Sequence, residues 1–253
     1  MMNNPPALLT HAQTTRYRAL KESRSRREDG LFLLEGVRLC EDAFNSKLEI
    51  SACITTKTFD KLDIPHHIDH FEASPTQLAQ ISDNKHPQGI ICVARIPEHM
   101  DTPTPDSNKL LLVMDRLSDP GNMGTIFRSA LWFGIKDILL GPDCVDPYGP
   151  KAVRSSMGAI GTLNLHFSPD LKVSALAWKR SGGEVAALHM TGKPLHNFSS
   201  KGAIFLIIGS EAHGVDQDLL ALSTALSIEK KGQGESLNAG SATAIALYEL
   251  TRS

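Results

Sequence analysis

The chain has 253 residues, of which 41% are hydrophobic and 21% charged, with a formal net charge of −2. This composition is that of a globular chain with room for one large domain or two modest ones. Its longest apolar runs, LLLVM (Leu110–Met114) and AIFLII (Ala203–Ile208), are strand-sized and far too short to cross a bilayer, so no membrane partner is expected.

The first residues, MMNNPPALLTHAQTT, lack the basic start and apolar stretch of a secretory signal, and a cytoplasmic location is the expectation. A basic segment follows, in which Arg16, Arg18, Lys21, Arg24, Arg26 and Arg27 outnumber Glu22, Glu28 and Asp29. Clustered positive charge suits nucleic-acid phosphates, although on charge alone a solvated helix face is the simpler account. LFLLEG then reads as a buried strand and GVRLCEDAFNS as an amphipathic helix, with EISACITT and GIICVARI as further strands.

His66, His67 and His70 in HHIDH lack an acidic or cysteine cluster to complete a metal site and read as a solvated loop, so no metal is expected. Cys40, Cys53, Cys92 and Cys144 show no CxxC spacing and read as reduced core thiols. The Pro-, Asp-, Ser- and Thr-rich stretch IPEHMDTPTPDSN marks a linker. It divides the chain into an N-terminal domain (1–98), a linker (99–108) and a C-terminal domain (109–253).

From Lys109 onward strands alternate with helices: LLLVMD, a helix through Ile126–Trp132, DILLG, a helix over 170–180, EVAAL, FLIIG, a short helix over 216–222, LSI, and a last helix over about 237–250. That alternation predicts an α/β domain with a mostly parallel sheet. Ligands of such sheets gather beyond the carboxyl ends of the strands. Three polar loops lie there: DRLSDPGNMGTIFRSALWFG after LLLVM, GSEAHG after AIFLII, and EKKGQGESLNAGSA after LSI. The DPGN turn places Asn122 near a helix entrance with Arg128 in the next turns. Gly209 and Gly214 bracket Glu211, where a buried carboxylate could hold an amine or arginine, or where the chain simply turns. Ser236 suits a helix cap, which leaves Asn238 unexplained. His213 reads as part of a surface turn. Neither GxGxxG nor GxxxxGK[ST] stands at a strand-to-helix junction, which argues against a nicotinamide or P-loop enzyme.

Taken in order and at these separations, NMGTIFRSALWFG, FLIIGSEAHG and ESLNAGSATAIALYEL resemble the three motifs of the SpoU/TrmH family of RNA methyltransferases. KAVRSSMGAI resembles that family's central segment, and the basic stretch with LFLLEGVRLCEDAF resembles its small RNA-binding domain. The resemblance implies methylation of a ribose 2′-hydroxyl with S-adenosylmethionine, an α/β fold carrying a C-terminal trefoil knot, and an active site completed across a homodimer. On matching positions it implies a catalytic set of Asn122, Arg128, Glu211, Ser236 and Asn238. It implies a donor site at Leu188, Gly209, Glu211, Gly214, Ile228, Leu237 and Asn238. RNA contacts fall to the six basic residues of 16–27, to Arg128, and to Arg154, which a surface salt bridge would explain equally.

Ribosomal RNA is the expected target, because the two-domain arrangement with LFLLEGVR resembles members acting on it; transfer RNA is the alternative. Retention of all five polar positions argues against a non-catalytic RNA-binding protein. Two departures stand out: Glu229 where the family commonly has proline, and Ala239-Gly240 where Val-Ser is commoner. Gly240 in a helix's first turn costs about 1 kcal/mol relative to alanine, which points to a close approach there.

Overall fold

The computed structural model describes residues 5–98, 101–105 and 109–252, so positions 99–100 and 106–108 of the expected linker lie outside the described residues. The first part of the chain runs β1 (Ala7–Leu8), α1 (His11–Ala19), α2 (Ser23–Asp29), β2 (Leu31–Glu35), α3 (Val37–Phe44), β3 (Ile50–Thr56), β4 (Asp69–Ala73), α4 (Pro75–Ile81) and β5 (Ile90–Arg95). It continues with β6 (Leu110–Met114), α5 (Pro120–Trp132), β7 (Asp137–Leu140), α6 (Pro150–Ser156), β8 (Asn164–Phe167), α7 (Leu171–Arg180), β9 (Glu184–Pro194), β10 (Ile204–Ile208), α8 (Gln217–Ala221), β11 (Thr224–Ser227) and α9 (Ala239–Thr251).

The chain forms two compact units, Met1–Glu98 with Asp146–Thr162, and His99–Val145 with Leu163–Ser253. The inclusion of 146–162 in the first unit is not legible in the sequence, where that segment falls beyond the linker. Its anchor is Asp146, whose Oδ2 accepts from Arg26 Nε at 3.0 Å and Nη2 at 2.6 Å.

In the first unit a mixed sheet has the order β1-β4-β3-β5-β2, with β5 antiparallel to both β2 and β3. Both α1 and α4 open with a capping box: Thr10 with Gln13, and Ser74 with Gln77, satisfy orphan N–H groups reciprocally. The HHIDH segment is only partly the loop expected from its composition. His66 and His67 are exposed, but β4 begins at Asp69, and His70 Nε2 lies 2.8 Å from Thr55 Oγ1 on the paired strand. Phe71, at the next position, packs on the core and draws this run into the sheet.

In the second unit six strands take the order β11-β9-β10-β6-β7-β8, every pairing parallel. Every residue of β6 and β10 is buried, as continuous apolar runs require of a sheet covered on both faces. Leu171, Ala175 and Trp178 of α7 cover one face, Trp178 packing 5.8 Å from Phe205 by ring centroids. From β6 the chain steps one way through β7 and β8, whereas β10 and β9 lie on its other side. The switch point between β6 and β10 is where a sheet of this kind opens a crevice at its carboxyl ends.

Candidate active site

The three polar loops leave the carboxyl ends of β6, β10 and β11. After β6, Asp119 caps α5 by accepting from Asn122 N at 2.7 Å, and Pro120 starts the helix, where its missing N–H costs nothing. Asn122 is thereby fixed in the first turn. After β10, Ser210 and Gly214 exchange backbone hydrogen bonds of 3.1 and 2.8 Å, which folds 210–214 into a tight hairpin. A Cβ on Gly209 would lie 2.2 Å from the Gly214 carbonyl carbon, so only glycine fits. The hairpin is tied to β6 by Asp115, a buried carboxylate whose Oδ2 accepts from Asp216 N at 2.7 Å.

The last helix begins at Ala239, and its cap is Asn238 rather than Ser236: Asn238 Oδ1 accepts from Gly240 N at 2.9 Å and Ser241 N at 3.3 Å. Ser236 is exposed two residues earlier, too far along the chain to reach those donors. With its oxygen committed to the helix, Asn238 presents Nδ2 to Asn122 Oδ1 at 2.7 Å. Asn122 Nδ2 in turn donates to Glu211 Oε1 at 2.7 Å, and Ser118 Oγ donates to Glu211 Oε2 at 3.3 Å. The free N–H groups of α9 thus dictate the orientation of both amides and the acceptor role of Glu211.

Glu211 is exposed, and the group it holds is an amide rather than the amine or arginine expected of a buried carboxylate. Ser118 was not singled out by sequence reasoning; its place immediately before the DP helix start was the available signal. The close approach inferred at Gly240 is present, since a Cβ there would meet Thr125 Cγ2 of α5 at 2.9 Å. Thr125, Arg128 and Trp132 share one exposed face of α5 at helical spacing.

The remaining expected donor residues lie on neighbouring segments. Pairing of β11 with β9 jumps from Ala187 to Lys193, so Leu188–Gly192 bulges out beyond the point where β10 stops pairing. Gly192 passes Ala225 so closely that a Cβ would lie 2.5 Å from its carbonyl oxygen. Ile228 follows β11 half-buried, Gly214 has a positive φ of 67°, and Leu237 is 52% exposed. At the proline-to-glutamate departure, a hydrogen bond from the Lys231 ammonium, 2.8 Å away, holds the Glu229 carboxyl below the usual carboxylate range.

The expected RNA contacts divide. Arg26 is a correction: it is 3% exposed, with its guanidinium consumed by Asp146 and by the carbonyls of Leu20 and Lys21, because it joins 146–162 to the first unit. Lys21 is held by the carbonyls of Gln80 and Ser82. Arg16 pairs with Asp29, Arg24 with Glu28 and Arg154 with Asp83; Arg16 and Arg24 stay exposed in these pairs, and Arg18 and Arg27 are exposed as well. Among the described residues no cluster of histidine, cysteine or carboxylate side chains could hold a metal ion, and no helix is long and apolar enough to cross a membrane.

Comparison with known proteins bears on the family and the fold. Residues 109–248 match the SpoU rRNA Methylase family, and residues 13–92 match an MRM3-like substrate binding domain. An uncharacterized tRNA/rRNA methyltransferase of Synechocystis sp. is 30% identical, over 93% of this chain and 89% of its own. The 23S rRNA (guanosine(2553)-2′-O)-methyltransferase of Bacillus subtilis is 28% identical, over 92% and 94%. The solved structure of a putative RNA methyltransferase of the TrmH family from Porphyromonas gingivalis superposes with a TM-score of 0.87 at 29% identity, covering 98% of this chain and all of that one. With its three motifs joined in one hydrogen-bonded site, the chain belongs to the SpoU rRNA methylase family.

Proposed function

We propose that the protein methylates a ribose 2′-hydroxyl of ribosomal RNA, with S-adenosylmethionine as donor. The observation that carries this reading is the hydrogen-bonded series Asn238, Asn122, Glu211, Ser118, assembled from all three motifs at the switch point of a parallel sheet. The ribosomal target follows the Bacillus relative, whose name specifies 2′-O-methylation of 23S rRNA.

The loops at Leu188–Gly192, Gly209–Gly214 and Ile228–Asn238 fit the donor: they are rich in glycine and backbone, and one offers the exposed apolar side chain of Leu237. The donor supplies a methyl group on a good leaving group, so the protein's tasks are alignment and help to a poor nucleophile. The amides of Asn122 and Asn238 each keep a second N–H with which to orient the ribose, and Glu211 braces them. The exposed Arg128 clamps the phosphate beside the target ribose and orients the hydroxyl, in keeping with the permanent charge of a guanidinium. Ser236, exposed on the loop before α9, serves as a hydrogen-bonding partner of the substrate.

A homodimer and the trefoil knot belong to the same proposal. In support of the dimer, Trp132 of α5 is 85% exposed and Tyr248 of α9 57%, with the Tyr248 ring set edge-on against Phe133, an apolar face suited to a second copy of the chain. A reducing cytoplasmic setting fits the free cysteines, of which Cys53 and Cys92 face each other across paired strands with sulfurs 3.9 Å apart.

The test is incubation of the protein with tritiated S-adenosylmethionine and bulk RNA, followed by digestion to nucleosides. Label is expected in 2′-O-methylnucleosides of ribosomal RNA; label on a base, or none in any RNA, overturns the proposal.

A further inference from the structure

Away from the motif loops, the first unit carries a cleft of about 350 Å³ between the turn after β3, the start of α4 and the approach to β5. Its apolar lining includes Phe59, Pro75 and Leu78, and its polar lining includes Gln88, Lys61 and Asp60. Clefts of this size with a few placed polar groups suit small planar ligands.

The wall holding Phe59 is built by close backbone packing. Thr56 N donates to Gly89 O at 3.0 Å, and Phe59 N donates to Thr56 O at 3.0 Å. Gly89 has φ of +88°, and a Cβ there would lie 3.2 Å from Phe59 Cδ2, so glycine is what lets the ring lie against this turn. Gln88 accepts from Val37 N through Oε1 at 2.9 Å, which fixes its amide and leaves Nε2 as donor. Lys61 is exposed.

We propose that this cleft receives one unpaired nucleobase of the RNA substrate, stacked on Phe59, with Gln88 Nε2 donating to a base acceptor and Lys61 meeting the adjoining phosphate. Unpaired bases are the part of RNA that proteins read by stacking on aromatic rings, and the cleft lies inside the segment matched by a substrate binding domain. The proposal rests on RNA being the substrate, but not on the chemistry of methyl transfer.

The experiment is fluorescence anisotropy of the full chain with a mixed-sequence single-stranded RNA of about 12 nucleotides, and with the same RNA as a duplex. The parent protein is expected to prefer the single strand. Phe59→Leu keeps apolar bulk without the aromatic face and should lose about tenfold in single-strand affinity, whereas Phe59→Trp retains it. Lys61→Ala should lower the salt dependence by about 0.7 in log–log slope. The melting temperature of each variant guards against misfolding. Equal binding of both RNA forms by the parent, or parent-like binding by Phe59→Leu, overturns the proposal. Phe59-dependent binding by a protein that transfers no methyl group would uphold the cleft and remove the methyltransferase reading instead.

Discussion

Asn238 Nδ2 donates to Asn122 Oδ1 at 2.7 Å across 116 positions of sequence, and the direction of that bond is set by the helix that Asn238 caps. Capping and site assembly therefore share one side chain, and a substitution can separate them. Asn238→Asp still accepts from Gly240 N but cannot donate to Asn122. Its melting temperature should match the parent, with kcat reduced on the order of 100-fold. Asn238→Ala should lose the same activity and about 1 kcal/mol of stability as well. An active Asn238→Asp protein would show that the bond to Asn122 is dispensable.

Arg128 lies on the exposed face of α5. Arg128→Ala should abolish methyl transfer while S-adenosylmethionine binding, followed by calorimetry, stays within a few-fold. Arg128→Lys should recover little, since a point charge does not reproduce a bidentate phosphate clamp. Full activity in the alanine variant removes the clamp from the mechanism.

The face bearing Trp132 and Tyr248 predicts a dimer of defined sensitivity. Light scattering at micromolar concentration should give twice the chain mass for the parent. Trp132→Glu should give a folded monomer, since a charge there resists desolvation against a second copy. A monomeric parent excludes this interface.

Arg26 and Arg18, both in the basic segment, should behave oppositely. Arg26→Ala removes both guanidinium hydrogen bonds to Asp146, which keeps Ser23 Oγ and Tyr148 N as donors, and is expected to cost about 2 kcal/mol in urea unfolding. Arg18→Ala, at an exposed position, should leave stability within about 0.5 kcal/mol. It should weaken RNA binding and lower its salt slope by about one.

Burial lowers the pKa of His70 below its ordinary 6.5, against the opposing pull of Glu72. The unfolded chain therefore binds the proton more readily than the folded one. The contribution to stability is present above pH 6.5 and is lost as pH falls through the lower folded value. Urea unfolding between neutral pH and about pH 5 should show that decline, and His70→Gln should flatten it. An unchanged decline would place its origin in other groups.

Much of the fold was legible because its signals are local. Continuous apolar runs such as LLLVM and FLIIG specify strands buried on both faces, and DP before Asn122 specifies a helix start. The order and residues of the three motifs were enough to indicate the family by resemblance, and the resemblance implied the reaction; each motif follows a strand whose carboxyl end opens on the same crevice.

What the sequence could not decide were pairings between distant groups. By sequence Ser236 reads as the cap, and only the start of α9 at Ala239 selects Asn238 instead. Arg26 and Arg18 are alike in a list of charges, yet one is buried against Asp146 and the other exposed. Side-chain burial and hydrogen-bond direction depend on which segments the fold brings within about 3 Å of each other. Sequence spacing constrains neighbours along one element, whereas that proximity exists only once both units have folded.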